Sequence, residues 1–220
     1  MRAGKPLNST VSAVFIDALG TLVELEPPWV HLAARLGVPS NDRMIRAVRS
    51  EMAYYRENSH LGADEASLRA LRERCAELLS AELGRPVDVA TMMAAIRFRP
   101  YADALPALAG LRRRGLRLVC VSNWDCSLPQ VLERCGLAPE LDGVVTSAGA
   151  GARKPDGRIF TPALELAGCE PGQALHVGDS PEDVAGATAA GIAVLLLDRE
   201  GGGDIASLSE VVARVDTMRG

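Results

Sequence analysis

Apolar residues follow two different spacings along this chain, and the change of spacing divides it into parts. In the middle of the chain they recur at intervals of three and four positions, for example in the segment that begins at Trp29. This spacing places apolar side chains on one face of an α-helix. It predicts four amphipathic helices, at 28–36, 42–57, 64–84 and 89–96. With no strand pattern between them, such helices are typical of a compact bundle.

Short apolar runs form the second pattern, before and after this bundle. Each is followed by a helix-like segment, and five of them are predicted to be strands: 11–16, 116–121, 144–146, 174–177 and 192–197. Strands that alternate with helices indicate a parallel sheet with helices on both faces. We expect the most apolar run, 192–197, to be buried on both faces. The sequence therefore predicts an α/β core, residues 1–23 and 98–220, that carries residues 24–97 as a helical insert.

Polar side chains follow four of the predicted strands. They are Asp17 and Thr21, then Ser122 and Asn123, then Lys154, and finally Asp179 and Asp183. Open α/β sheets bind their ligands at the carboxyl ends of the strands, so we expect these side chains to meet there. Three carboxylates and one ammonium leave a charge of −2, which is costly in a partly dry cleft. One Mg²⁺, a cation that prefers oxygen ligands, would balance this charge.

Composition narrows the class of protein. Of the 220 residues, 48% are hydrophobic and 24% are charged, as in ordinary globular proteins. The net charge of −4 and the lack of a basic run argue against nucleic acid as a partner. The five cysteines form no C-x-x-C pair, which argues against a disulfide framework and a zinc site. Residues 1–10 lack the apolar core of a signal peptide, and no segment reaches membrane-spanning length. We therefore expect a cytoplasmic protein without a membrane partner.

Four segments in order, FIDALGTL, VSNWD, ARKPDGRIF and HVGDSPEDVAGATAAGI, resemble the four motifs of the haloacid dehalogenase (HAD) superfamily of hydrolases. Their order and spacing cover essentially the whole predicted core. The helical insert directly after the first motif resembles the C1 cap of that superfamily, as in its subfamily IA. The resemblance implies a Rossmann-like parallel-sheet core, residues 1–23 and 98–220, with a four-helix cap at 24–97.

The resemblance also implies a role for each motif residue. It points to a catalytic pair, Asp17 and Lys154, a substrate-binding set, Thr21, Ser122 and Asn123, and a magnesium set, Asp17, Leu19, Asp179 and Asp183. Asp17 would be the nucleophile and form a covalent aspartyl intermediate. Lys154 would neutralise developing charge, and Ser122 would donate its hydroxyl to the transferring group. Leu19 would contribute its backbone carbonyl to Mg²⁺, and Asp183 would help directly or through water.

Leu19 departs from the pattern of the phosphatases in this superfamily. They usually carry a second aspartate at this position, which protonates the leaving alkoxide and later activates water. General acid–base assistance is typically worth about 10²–10⁴-fold in rate. A phosphohydrolase without it would be slow on alkyl phosphates, or would use a general acid from another position. The candidates for this acid are Asp125, His31 and His60.

Three functions compete on these observations. The first is a Mg²⁺-dependent hydrolase that acts on a small phosphorylated metabolite through an aspartyl-phosphate intermediate. The second is a 2-haloacid dehalogenase, which needs no acid for the halide and works without metal. Asp179 and Asp183 favour the first over the second. The third is a catalytically quiet HAD fold that binds a phosphorylated ligand or a protein partner. The identity of the substrate and the oligomeric state do not follow from the sequence.

Overall fold

The computed structural model describes residues 10–219, and its central element is a parallel β-sheet. The strands are β1 (Ala13–Ile16), β2 (Val23–Leu25), β3 (Phe98–Pro100), β4 (Arg117–Ser122), β5 (Gly143–Thr146), β6 (Ala174–Gly178) and β7 (Ala193–Leu196). Five of them form the parallel sheet, in the spatial order β5-β4-β1-β6-β7. The predicted fold class is confirmed. The first nine residues of the predicted core, 1–9, lie outside the described residues.

Helices cover this sheet and form the insert. They are α1 (Pro28–Leu36), α2 (Asp42–Asn58), α3 (Glu65–Leu83), α4 (Val89–Met93), α5 (Ala104–Arg112), α6 (Leu128–Arg134), α7 (Ser147–Ala150), α8 (Thr161–Ala167), α9 (Pro181–Ala189) and α10 (Leu208–Arg219). Among the helices of residues 10–219, none is both long and apolar enough to cross a lipid bilayer.

Strand β1 is buried on both of its faces. Val14 and Ile16 belong to an apolar cluster that includes residues of α5, α6 and α10. Ala13 and Phe15 belong to a second cluster, shared with α8 and α9. Successive side chains of a strand point to opposite faces, so one short apolar run fills both layers. The residue that follows β1, Asp17, is thereby brought to the sheet edge inside the protein.

Strand β7 corrects one expectation. It is the most apolar run of the sequence, yet it lies at the edge of the sheet and pairs only with β6 within it. Three of its four residues are only partly buried. Strands β1 and β6, which each have a neighbouring strand on both sides, are buried along their whole length.

The insert has an apolar cluster of its own, formed by residues of α1 to α4 and the segments that follow them. Local signals set the ends of its helices. The side chain of Asp64 accepts a hydrogen bond from the backbone N–H of Ser67 in a capping box, and α3 ends at Gly84 in the left-handed conformation. The side chain of Asp88 caps α4 by accepting a hydrogen bond from the backbone N–H of Thr91. These helices lie close to their predicted positions.

A two-stranded antiparallel ribbon joins the insert to the sheet. It pairs β2 with β3, with Val23 opposite Pro100. The apolar pattern does not predict this ribbon, because strands of three residues are too short to show an alternating pattern. The chain therefore leaves the sheet and returns to it through one narrow connection.

Candidate active site

The carboxyl ends of β1, β4 and β6 meet at one edge of the sheet, where most of the predicted site residues lie. The backbone N–H of Asp17 donates to the carbonyl of Val177 at 2.9 Å, which fixes the end of β1 against β6. The Lys154 ammonium lies 2.5 Å from Asp17 Oδ1 and 2.5 Å from Asp183 Oδ1. It also donates to the Val121 carbonyl of β4 at 2.9 Å. Only 3% of Lys154 is exposed. A buried cation therefore links three separate segments of the chain.

Three carboxylates surround this ammonium group. One oxygen each of Asp17, Asp179 and Asp183 lies within 4.8 Å of the others. Asp17 and Asp183 are buried, whereas Asp179 is exposed along part of its surface and accepts a hydrogen bond from Thr21 Oγ1 at 3.3 Å. The cluster carries three negative charges against one positive charge. This set of hard oxygen donors fits a divalent cation such as Mg²⁺.

Gly20 permits this close packing. It follows Asp17 on a tight turn and has φ of 88°, a conformation that L side chains rarely adopt. A Cβ atom at this position would also collide with the carboxylate of Asp179. Any larger residue would push apart the loops after β1 and β6. The first motif therefore needs a glycine at position 20, because Asp179 approaches its backbone closely.

Burial and neighbouring charges shift the pKa values of the cluster. Desolvation raises the pKa of Asp17 to about 6, although the Lys154 charge opposes this rise. Desolvation and the nearby Asp183 charge also raise the pKa of Asp179. Asp183 is desolvated too, but its bond with His176 and the Lys154 charge outweigh this effect and lower its pKa. The Lys154 pKa is raised, because Asp17 and Asp183 outweigh the cost of its burial.

Asp183 has four hydrogen-bond donors around its two oxygens. Oδ1 accepts from Lys154 Nζ and pairs with His176 Nε2 at 2.8 Å. Oδ2 accepts from the hydroxyl of Ser180 at 2.5 Å and from its backbone N–H at 3.2 Å. Ser180 is the N-cap residue of α9, and its spacing from Asp183 is that of a capping box. This local sequence signal accounts for the orientation of Asp183.

His176 was not among the predicted site residues. It is fully buried in β6, and its ring packs edge-on against Phe160 at 4.9 Å. Nδ1 has no hydrogen-bond partner among the described residues. Since an ionised Asp183 can only accept, Nε2 is the nitrogen that carries the proton. An apolar strand hides such a residue from sequence analysis, because a core histidine has the same local pattern.

Asn123 and Ser122 come together with Lys154. The side-chain amide of Asn123 donates to the Lys154 carbonyl at 3.0 Å and accepts from the Lys154 backbone N–H at 2.8 Å. Asn123 therefore fixes the backbone that carries the buried ammonium. Ser122 is the last residue of β4 and is buried, one position beyond the Val121 carbonyl that accepts from Lys154.

The sequence offered three candidates for the missing general acid, namely Asp125, His31 and His60. Asp125 is buried, and its carboxylate accepts from the Tyr55 hydroxyl at 2.6 Å and from the Ser127 backbone N–H at 2.7 Å. His31 Nε2 pairs with Glu26 at 2.8 Å, and His60 is exposed. Asp125 is thus engaged in structural bonds rather than free to donate a proton.

Arg199 is a further residue that the sequence did not reveal. Its guanidinium donates to the Thr21 carbonyl at 2.9 Å and to both carboxylate oxygens of Asp103. It also stacks 3.6 Å over the ring of Tyr101. Arg199 thus holds the loop after β1 against the segment that follows β3. No local pattern marks this residue, because its partners come from distant parts of the chain.

The family model that matches this chain is that of the haloacid dehalogenase-like hydrolases, over residues 11–191. The match covers four of the five strands of the parallel sheet, the insert and the cluster of charged residues. The chain belongs to this family, which is the HAD superfamily of hydrolases predicted from its motifs.

Individual relatives agree with this assignment. The chain is 34% identical over 198 residues to the "Phosphoglycolate phosphatase, plasmid" of Cupriavidus necator, covering 84% of this chain and 80% of that protein. It is 50% identical over 86 residues to the "Haloacid dehalogenase-like hydrolase domain-containing protein 3" of Bos taurus, covering 39% of this chain and 34% of the relative. The match thus spans about a third of that relative's length. The L-2-haloacid dehalogenase of Xanthobacter autotrophicus shares the fold, with a TM-score of 0.72 at 23% identity over 95% of this chain and 100% of that chain.

Proposed function

We propose that this protein is a Mg²⁺-dependent phosphohydrolase that acts on a small phosphorylated metabolite and uses Asp17 as its nucleophile. One observation carries the proposal, namely the buried Lys154 ammonium between Asp17 and Asp183, with Asp179 beside them. Such a site has an excess of negative charge that a divalent cation would balance. The phosphatase name of the Cupriavidus necator relative supports the choice of a phosphate ester as substrate.

The oxygen donors of the site suggest how Mg²⁺ would be held. Asp17, Asp179 and the carbonyl of Leu19 would bind it directly. Asp183 would act through water, because four protein donors already surround its oxygens. When bound, Mg²⁺ would neutralise phosphate charge and orient the phosphoryl group.

The residues of the chain would carry the reaction in two steps. In the first, Asp17 Oδ2 attacks phosphorus, because Oδ1 is bonded to Lys154. The new O–P bond forms as the ester O–P bond breaks, and the alcohol leaves with a proton from solvent. In the second, water attacks the aspartyl phosphate and releases inorganic phosphate and the Asp17 carboxylate. Lys154 holds Asp17 in place throughout, and Ser122 donates its hydroxyl to the phosphoryl oxygens.

Thr21 and Asn123 have positioning roles in this proposal, in place of the direct substrate contacts expected from the sequence. The hydroxyl of Thr21 is bonded to Asp179, and the amide of Asn123 is bonded at both ends to the backbone of Lys154. Thr21 would orient Asp179, a proposed metal ligand, and Asn123 would orient Lys154, which contacts the proposed nucleophile Asp17. We also keep the proposed division into a core and a cap, residues 24–97, whose movement would admit substrate and exclude water.

Leu19 limits the substrates that this site would hydrolyse well. Its side chain is half-buried and packs against the core cluster under the sheet edge. No acid is present at this position, and Asp125 is engaged elsewhere. The proposed enzyme therefore prefers phosphates with good leaving groups, which need no proton from the protein.

A 2-haloacid dehalogenase is the second candidate, and Leu19 is the observation that favours it. Halide leaves without a proton, so the missing acid would cost nothing. Asp179 and Asp183 argue against it, because a reaction without metal has no use for the excess negative charge that they bring. Chloride release from 2-chloropropionate in the absence of metal would identify this activity.

The experiment that tests the proposed function is hydrolysis of p-nitrophenyl phosphate by the purified protein. We expect turnover that requires Mg²⁺, is lost with EDTA and is abolished in Asp17→Asn, with phosphate trapped on residue 17 in the native protein by rapid quench. Glu133→Gln, an exposed control on α6, should retain full activity. Unchanged turnover in Asp17→Asn, or without metal, would overturn the proposal. If the protein binds Mg²⁺ but shows no turnover, it is better described as a catalytically inactive HAD fold that binds a phosphorylated ligand or a protein partner.

A further inference from the structure

The end of helix α2 is bonded to the core through a buried carboxylate. The hydroxyl of Tyr55 donates to Asp125 Oδ2 at 2.6 Å, while Asp125 Oδ1 accepts from the backbone N–H of Ser127 at 2.7 Å. Asp125 is only 2% exposed. Burial and the Asp125 charge raise the pKa of Tyr55, so the phenol remains a donor. Tyr55 thus supplies one of the hydrogen bonds that make burial of this charge tolerable.

Backbone bonds of the same region extend this contact. The N–H of Cys126 donates to the Gly62 carbonyl at 2.8 Å, and Arg153 donates to the carbonyl of Glu57 at 3.1 Å. Gly62 approaches Asp125 so closely that a Cβ on the glycine would lie 2.9 Å from the Asp125 Cβ. We call residues 55–62, with their core partners Asp125, Cys126 and Arg153, the docking contact.

The docking contact falls on two of the core loops that carry active-site residues. Asp125 lies three residues after Ser122, and Arg153 precedes Lys154 directly. Asn123 ties these two loops together through its bonds with the backbone of Lys154. A shift of the insert at the docking contact would therefore act on the segments that position Ser122 and Lys154.

We propose that Tyr55 is a positioning residue, whose bond to Asp125 holds the helical insert in the closed arrangement over the active-site loops. The inference rests on the proposed function insofar as the closed arrangement is the one that binds phosphate. Tyr55 contacts neither the substrate nor Asp17 in this role. It acts by setting the balance between closed and open arrangements.

The variant Tyr55→Phe tests this role, because it removes one hydroxyl and keeps the ring. Tyr54→Phe is the matched control, since Tyr54 lies next to Tyr55 on α2 and interacts with Arg74 of α3, within the insert. With p-nitrophenyl phosphate and Mg²⁺, we expect Tyr55→Phe to raise KM about tenfold, the worth of one charge-assisted hydrogen bond, with kcat changed less than about twofold. A role limited to stability would instead lower the active fraction, reducing kcat at constant KM. Tyr54→Phe should match the native protein.

A second measurement is independent of catalysis. Hydrogen–deuterium exchange of residues 55–62 should be faster in Tyr55→Phe and Asp125→Asn than in the native protein, and no faster in the double variant than in either single one. Unchanged exchange together with unchanged KM would overturn the role of Tyr55. Faster exchange with no hydrolysis by the native protein would uphold the docking contact while rejecting the phosphohydrolase. Hydrolysis by the native protein, together with unchanged exchange in both single variants, would uphold the phosphohydrolase and reject the docking contact.

Discussion

The raised pKa of Asp17 predicts that this residue destabilises the metal-free protein at neutral pH. Its pKa is 3.8 for an ordinary side chain and about 6 in the folded protein, mainly because burial disfavours the charge. Well below pH 4 the carboxyl is protonated in both the folded and unfolded states, so it has no effect on stability. As pH rises from 4 to 6 the unfolded chain ionises first, and the free energy of unfolding falls. Above pH 6 the loss is complete.

The size of this loss follows from the shift. A difference of one unit between the folded and unfolded pKa corresponds to about 1.4 kcal/mol. The rise of the Asp17 pKa from 3.8 to about 6 therefore lowers the free energy of unfolding by about 3 kcal/mol. The isosteric variant Asp17→Asn removes the charge but keeps an oxygen for the bond with Lys154. In EDTA at pH 7.5 it should be more stable than the native protein by up to about 3 kcal/mol, and the difference should vanish below pH 4.

Urea denaturation followed by circular dichroism, between pH 3.5 and 8 in EDTA, measures this difference. Glu133→Gln is the control, since it removes an exposed carboxyl and should change stability by less than about 0.5 kcal/mol. Addition of Mg²⁺ at pH 7.5 should stabilise the native protein and leave Asp17→Asn almost unchanged, because the ion binds the folded state through Asp17. A variant that is less stable at pH 7.5, or a difference that does not depend on pH, would refute the reasoning.

Two further predictions concern the missing acid and a buried acid of the insert. Leu19→Asp should raise turnover of alkyl phosphates about 10²-fold or more with little effect on p-nitrophenyl phosphate, as measured by phosphate release; an equal gain on both substrates would contradict a general-acid role at this position. Glu51 is buried in α2 beside the thiol of Cys75, and desolvation raises its pKa. Glu51→Gln should therefore increase the free energy of unfolding at pH 8 and not at pH 4, in thermal melts at both values; a pH-independent change would rule this out.

The sequence predicted much of the fold and several of the charged residues that meet at the sheet edge, because both depend on local properties. Apolar runs identified the strands of the parallel sheet, and Asp64 and Gly84 marked the ends of α3 through caps that depend on neighbouring residues alone. Polar residues that follow predicted strands pointed to Asp17 and Lys154, whose charged groups lie 2.5 Å apart in the structure. Leu19 was identified differently, by comparison with the family motif, which usually has an aspartate at this position.

Only the tertiary structure decided which partner each group has. Asp183 was expected to help bind the metal directly or through water, and its oxygens are surrounded by Lys154, His176 and Ser180, of which only Ser180 is close in sequence. Asp125 could be a free acid from its sequence position, but it is bonded to Tyr55 of the insert. A periodic sequence pattern indicates that a residue is buried and on which face of its helix or strand it lies. The distance between residues far apart in sequence depends on how whole helices and strands pack, and that information is not local.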